Sequence, residues 1–126
     1  MITKIYAVFT KAKTVIRQTL LKISNPTARI VVSNRIYLPL SVDIEVGEHS
    51  ELVINKGVRI RKSTLIAVRE NASLRIGKDV FINRNCMITA RKSITIGNGV
   101  TIGPYVSIYD HDHDIAQRGG GTFVKK

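Results

Sequence analysis

Ile94-Thr95-Ile96-Gly97-Asn98-Gly99-Val100-Thr101-Ile102-Gly103-Pro104-Tyr105-Val106-Ser107-Ile108 repeats one six-residue rule. An aliphatic residue returns at 96, 102 and 108, and another stands two residues before each. The same rule runs backwards through Ile88, Ile82 and Ile76, then Ile66, Ile60 and Ile54, then Ile44, Leu38 and Val32. The partners two residues earlier are aliphatic in ten of twelve cases; the exceptions, Thr64 and Cys86, are small. Three hexads plus a short insertion therefore make a larger period of 22, 22 and 20 residues.

Two apolar residues separated by one polar residue face the same side of a strand. Three such strands per period describe a parallel β-helix with three flat sides, each coil stacked on the next at about 4.8 Å. No coil buries its aliphatic row alone, so the stack makes one continuous core. The position after each inward aliphatic reads as a corner: Ser33, Pro39, Asn55, Ala67, Gly77, Asn83, Thr89, Gly97 and Gly103 are turn-compatible or small. Spacings of two and six do not trace a helical stripe, and the stretch is rich in Ile and Val. The expected fold is an all-β solenoid of about four three-sided coils over residues 30–114, with loops at Gly47–Ser50, Arg69–Asn71 and Ala90–Arg91.

Residues 1–25 precede the coils as an amphipathic helix. Ile2, Ile5, Phe9, Ala12, Ile16 and Leu20 step by three and four, and Ser24-Asn25-Pro26 stops the pattern. Two roles fit: a cap across the open edge of the first coil, or contact with anionic lipid headgroups. Net charge is +11, and Lys4, Lys11, Lys13, Arg17, Lys22, Arg29 and Arg35 precede the first acid at Asp43. Such asymmetry implies an anionic partner for this end. The basic stretch carries no nucleic-acid motif or interleaved aromatics, so nucleic acid is not the expected partner. Cys86, the single cysteine, falls on an inward position, and reads as a small core residue in a reducing compartment. No transmembrane-length apolar run or signal-peptide core is evident, so a cytoplasmic address is expected. Residues 115–126 leave the repeat as a glycine-rich loop and tail.

The rule breaks at Tyr109-Asp110-His111-Asp112-His113-Asp114. Asp112 and Asp114 fall where an aliphatic is due, and a stacked coil does not bury unpaired acids. The chain is expected to leave the prism here, with His111 and His113 on its outer side. A histidine takes a proton from a hydroxyl near neutral pH, and a flanking carboxylate orients it. A solvated polar loop is the bland alternative. A metal site has suitable ligand types here but lacks zinc spacing, so no metal is expected.

These residues resemble the hexapeptide-repeat acyltransferases, which are left-handed β-helices, and in particular their sugar and polysaccharide O-acetyltransferase branch. The run from Ile96 to His113 is similar to the catalytic coil of that family, and Ile76-Gly-Lys-Asp-Val-Phe-Ile82-Asn-Arg-Asn-Cys86 to the coil beneath. The resemblance covers roughly residues 50–114. It implies homotrimers with sites between subunits, acetyl-CoA as co-substrate rather than a bound cofactor, and a catalytic histidine five residues after the inward aliphatic. That register selects His113 over His111. It also implies an acceptor contact at Asn83, which is equally a corner residue, and Asp110 joins it as a candidate substrate contact. Arg91 stands where the branch often has an aspartate, which leaves the acceptor open. The family carries further Ile-Gly coils that build most of the CoA groove. The donor side is therefore expected beyond Lys126, and the chain reads as a C-terminally truncated acetyltransferase. The alternative is a non-catalytic solenoid that binds or scaffolds.

Overall fold

The computed structural model describes Lys13 and residues 15–111. It is a β-solenoid of about four coils with one N-terminal helix. The first side of the prism stacks β1 (Arg29–Val32), β3 (Glu51–Ile54), β6 (Ser73–Ile76) and β9 (Ser93–Ile96). The second stacks β4 (Arg59–Ile60), β7 (Phe81–Ile82) and β10 (Thr101–Ile102), extended by a bridge from Tyr37 to Arg59. The third stacks β2 (Asp43–Val46), β5 (Leu65–Val68), β8 (Met87–Ala90) and β11 (Ser107–Tyr109). Every pairing is parallel, and the register sets like over like: Ile54 over Ile76 over Ile96, Ile60 over Ile82 over Ile102, Ile44 over Ile66 over Ile88 over Ile108.

This register follows from the pleat. A one-residue slip would turn every aliphatic outward, so the buried face fixes the pairing. Leu52, Ile54, Ile60, Ile66, Leu74, Ile76, Ile82 and Ile88 are fully buried in the middle coils. Each such side chain stabilises the stack by about 1.5–3 kcal/mol relative to exposure. The two polar inward positions are matched to each other. Thr64 Oγ1 donates to the Asn83 carbonyl at 3.0 Å and accepts the Cys86 N–H at 3.2 Å, and the Cys86 thiol faces the Gly103 carbonyl at 3.1 Å. Cys86 is buried and free, as its register required.

The corners differ from the sequence reading on one side of the prism. Ala67 and Thr89 lie inside β5 and β8, not at corners. The third side carries a second inward position after the isoleucine, Val46, Val68 and Ala90, so its turn starts two residues later. The insertion expected at Ala90–Arg91 is accordingly the two residues Arg91 and Lys92, and that shortening makes the last period 20. Eight corners place one residue at positive φ, and the short Arg91–Lys92 corner places none. Gly57, Asp79 and Gly99 form one column, and Ser63, Asn85 and Tyr105 another. Close approach also requires Gly77, where an added Cβ would lie 2.5 Å from Asn98 Oδ1 and 2.8 Å from its amide nitrogen.

Helix α1, described over residues 15–24, meets the first coil on a face the periodicity did not select. Leu21 packs against the core, while Ile16, Leu20 and Ile23 are exposed. Its orientation is set by Arg17, whose guanidinium donates to the Pro39 carbonyl at 2.9 Å and to the Val42 carbonyl. In later coils the carbonyls equivalent to Val42, those of Thr64, Cys86 and Val106, each accept an N–H from the preceding coil. No coil precedes Val42 among the described residues, and Arg17 supplies the donor instead. Burial lowers the Arg17 pKa, partly offset by the Asp43 carboxylate.

Candidate functional site at the end of the stack

Strand β11 delivers Asp110 and His111 to the corner between the third and first sides. Asp110 follows Tyr109, which pairs with Thr89, so it stands over Ala90 in the column Val46, Val68, Ala90, Asp110. One coil below, the short corner presents three consecutive N–H groups. Elsewhere the equivalent groups find carbonyls in the next coil: Arg69 N–H donates to Ala90 and Ser73 N–H to Lys92. Here the Asp110 carboxylate takes all three. Oδ1 accepts the Arg91 N–H at 2.7 Å, and Oδ2 accepts Lys92 at 2.8 Å and Ser93 at 2.6 Å. Burial pushes the Asp110 pKa up, but the hydrogen bonds from Arg91, Lys92, Ser93 and its own amide outweigh this and hold it below the ordinary carboxylate range.

Arg17 and Asp110 thus perform one task at opposite ends of the described coils. Each uses a charged side chain to complete backbone hydrogen bonds that an adjoining coil would otherwise make.

The His111 ring lies beside this clamp, 18% exposed, with Nδ1 3.8 Å from Asp110 Oδ1 and its centroid 5.6 Å from that of Tyr109. At 3.8 Å the contact is electrostatic rather than a hydrogen bond. The expectation that His111 points outward is met only in part, because Tyr109 takes the exposed position and shields one side of the imidazole. His113, Asp112 and Asp114 lie outside the described residues.

Asn83 occupies the corner after β7, between the second and third sides. Its Oδ1 accepts the Arg84 N–H at 2.8 Å, its N–H donates to Ile102, and its carbonyl accepts the Thr64 hydroxyl. Asn83 and His111 therefore stand at opposite ends of the third side. A strand of four residues separates those ends, roughly 13 Å at about 3.3 Å per residue. One chain does not bring the two together. Among the described residues, no three His, Cys, Asp or Glu side chains form a group that could hold a metal ion.

The clamp made by Asp110 escaped the sequence reading, which took Asp112 and Asp114 as the next inward positions and Asp110 as a candidate substrate contact. Two signals pointed to it: an acid ending a column of Val, Val and Ala, and a corner two residues short. No protein-family model, curated protein or solved structure matches this chain.

Proposed function

We propose that this protein is an acetyl-CoA-dependent O-acetyltransferase acting on a hydroxyl of a sugar or polysaccharide precursor. The observation that carries the reading is a three-sided hexad solenoid whose aliphatic lining ends in a backbone-clamped Asp110, directly before the His111-Asp112-His113 run. The clamp supports a fixed point of exit for that run.

In this reading His113, or less favourably His111, is the general base. Its imidazole takes the proton of the acceptor hydroxyl, and the oxygen attacks the thioester carbonyl carbon of acetyl-CoA. The tetrahedral adduct collapses with cleavage of the C–S bond, and the imidazolium returns its proton to the departing CoA thiolate. General-base assistance of this kind contributes roughly 10²–10⁴-fold. The separation of Asn83 from the end of the stack favours a homotrimer, in which the base of one chain meets the acceptor side of its neighbour. A cytoplasmic address accompanies this reading. The exposed aliphatic stripe of α1, with Lys13 and Lys22 also exposed, favours peripheral contact with an anionic bilayer.

A second reading, a non-catalytic binding or scaffolding solenoid, draws on one observation. The Asp110 carboxylate and Asn83 Oδ1 are both engaged by backbone N–H groups. CoA thiol release from acetyl-CoA with a panel of sugars separates the two. The acetyltransferase predicts turnover that is lost in His113→Ala and largely kept in His111→Ala. Absence of both turnover and acetyl-CoA binding would support the scaffold.

A further inference from the structure

The three outer sides of the prism differ in how their charges are balanced. On the first side Glu51 bridges Arg29 at 2.6 Å and Arg75 at 2.7 Å. On the third, Glu45 pairs with Arg69 at 3.0 Å. The second side and its flanking corners carry Lys56, Arg59, Arg61, Lys62, Lys78 and Arg84 against a single acid, Asp79, over coils two and three. All seven are exposed, and among the described residues none of the six bases is in an ion pair. Six cations on one side of a narrow prism repel one another, and a bound anion relieves that cost.

The same side holds a cleft. Tyr37, Arg59 and Phe81 stack one per coil, and with Arg61 they line an open space of about 340 Å³. The Arg59 guanidinium carbon lies 4.9 Å from the Phe81 ring centroid. Tyr37 is 48% exposed, so its ring is available to a ligand. The volume falls at the small end of the ~300–1,000 Å³ typical of small-ligand sites. Below Phe81 the column continues to Thr101, so the aromatic and cationic groups form a bounded site rather than a track along the solenoid.

We propose that this cleft binds a sugar bearing an oxyanion, a carboxylate or a phosphate, and that the acceptor of the reaction is such an acidic sugar. A guanidinium pair matches the fork geometry of a carboxylate or phosphate. The exposed Tyr37 ring offers an apolar face to the C–H face of a pyranose. A neutral sugar would use the ring and leave both guanidiniums without a counter-charge. A second copy presenting this side would add like charge. The site is continuous with the candidate acceptor contact, because Ile60 pairs with Ile82 and the next residues in register are Arg61 and Asn83. The acceptor assignment rests on the acetyltransferase reading; the binding site does not.

The test is binding to the full chain without acetyl-CoA, by titration calorimetry. The probes are oligogalacturonate for carboxylate, UDP-N-acetylglucosamine for phosphate, and maltohexaose as the neutral control. At least one acidic probe binds and the neutral one does not, and salt weakens the complex. Arg59→Ala and Arg61→Ala each weaken it about tenfold or more, the loss of one charge-assisted fork. Arg75→Ala, on the first side, leaves it unchanged. These side chains point outward, so a circular dichroism spectrum like that of the wild type shows the variants folded. Equal binding of maltohexaose, binding of neither acidic probe, or equal sensitivity to Arg75→Ala would overturn the proposal. So would tighter binding of single-stranded DNA or of anionic vesicles through the same arginines. Binding of an acidic probe without any turnover would sink the acetyltransferase and spare the site; turnover on a neutral sugar alone would spare the acetyltransferase and sink the acceptor assignment.

Discussion

Removing the Asp110 carboxylate should open the last described corner of the solenoid. The side chain accepts three backbone N–H groups between 2.6 and 2.8 Å and is 17% exposed. A hydrogen bond to a charged group contributes about 1.5–3 kcal/mol, but water reaches the exposed Arg91–Lys92 corner and recovers part of that. The expected cost of Asp110→Ala is therefore about 2–4 kcal/mol. Because coils contact only their neighbours, the loss concentrates at the end of the stack. Native-state hydrogen exchange reads it directly: the amides of Arg91, Lys92 and Ser93 lose about 30- to 1,000-fold of protection, the same energy expressed as a ratio. Asp110→Asn, with one acceptor oxygen left, falls between. The pH dependence has a definite sign. The carboxyl pKa is lowered in the folded state, so its stabilisation is complete above its unfolded value near 3.9 and disappears as pH falls through the lower folded value. The gap between wild type and Asp110→Ala should close in that acid window. A difference under about 0.5 kcal/mol at neutral pH, with unchanged protection at the three amides, would refute the clamp.

The other end offers a parallel case. Arg17→Ala leaves the Val42 carbonyl without its donor and should lower stability by about 1–3 kcal/mol in urea unfolding; the exposed Lys22→Ala on the same helix should be neutral. The helix stripe is tested by co-sedimentation with phosphatidylcholine vesicles with and without phosphatidylglycerol. Wild type should pellet with the anionic vesicles, and combined Ile16→Ser, Leu20→Ser and Ile23→Ser should lose about tenfold or more of that binding. Equal pelleting of the variant would remove the membrane contact.

The sequence made the columns legible because Ile and Val return every six residues and only a stacked strand uses that spacing. Cys86 and Thr64 were readable as inward for the same reason. The third side was misjudged because Val46, Val68 and Ala90 are as apolar as the positions before them, so nothing local says where that turn begins. The role of α1 stayed open between cap and lipid contact for a different cause. Periodicity identifies an apolar stripe, but the orientation was decided by carbonyls at the top of the stack that needed the Arg17 guanidinium. Asp110 looked like one more acid in a polar run until the register set it over Ala90. The basic cleft was hidden because its charges are scattered along the chain, from Lys56 to Arg84, and converge only when coils stack. What sequence periodicity reveals is the lining; what it conceals is how the ends and the outer surface use the register.

The acetyltransferase reading is tested most directly by mass spectrometry of acceptor sugars incubated with acetyl-CoA and the full chain. The expected product is a sugar heavier by one acetyl group, formed by the wild-type protein and by His111→Ala but not by His113→Ala. An unmodified panel with acetyl-CoA intact, or acetylation that persists in His113→Ala, would contradict it.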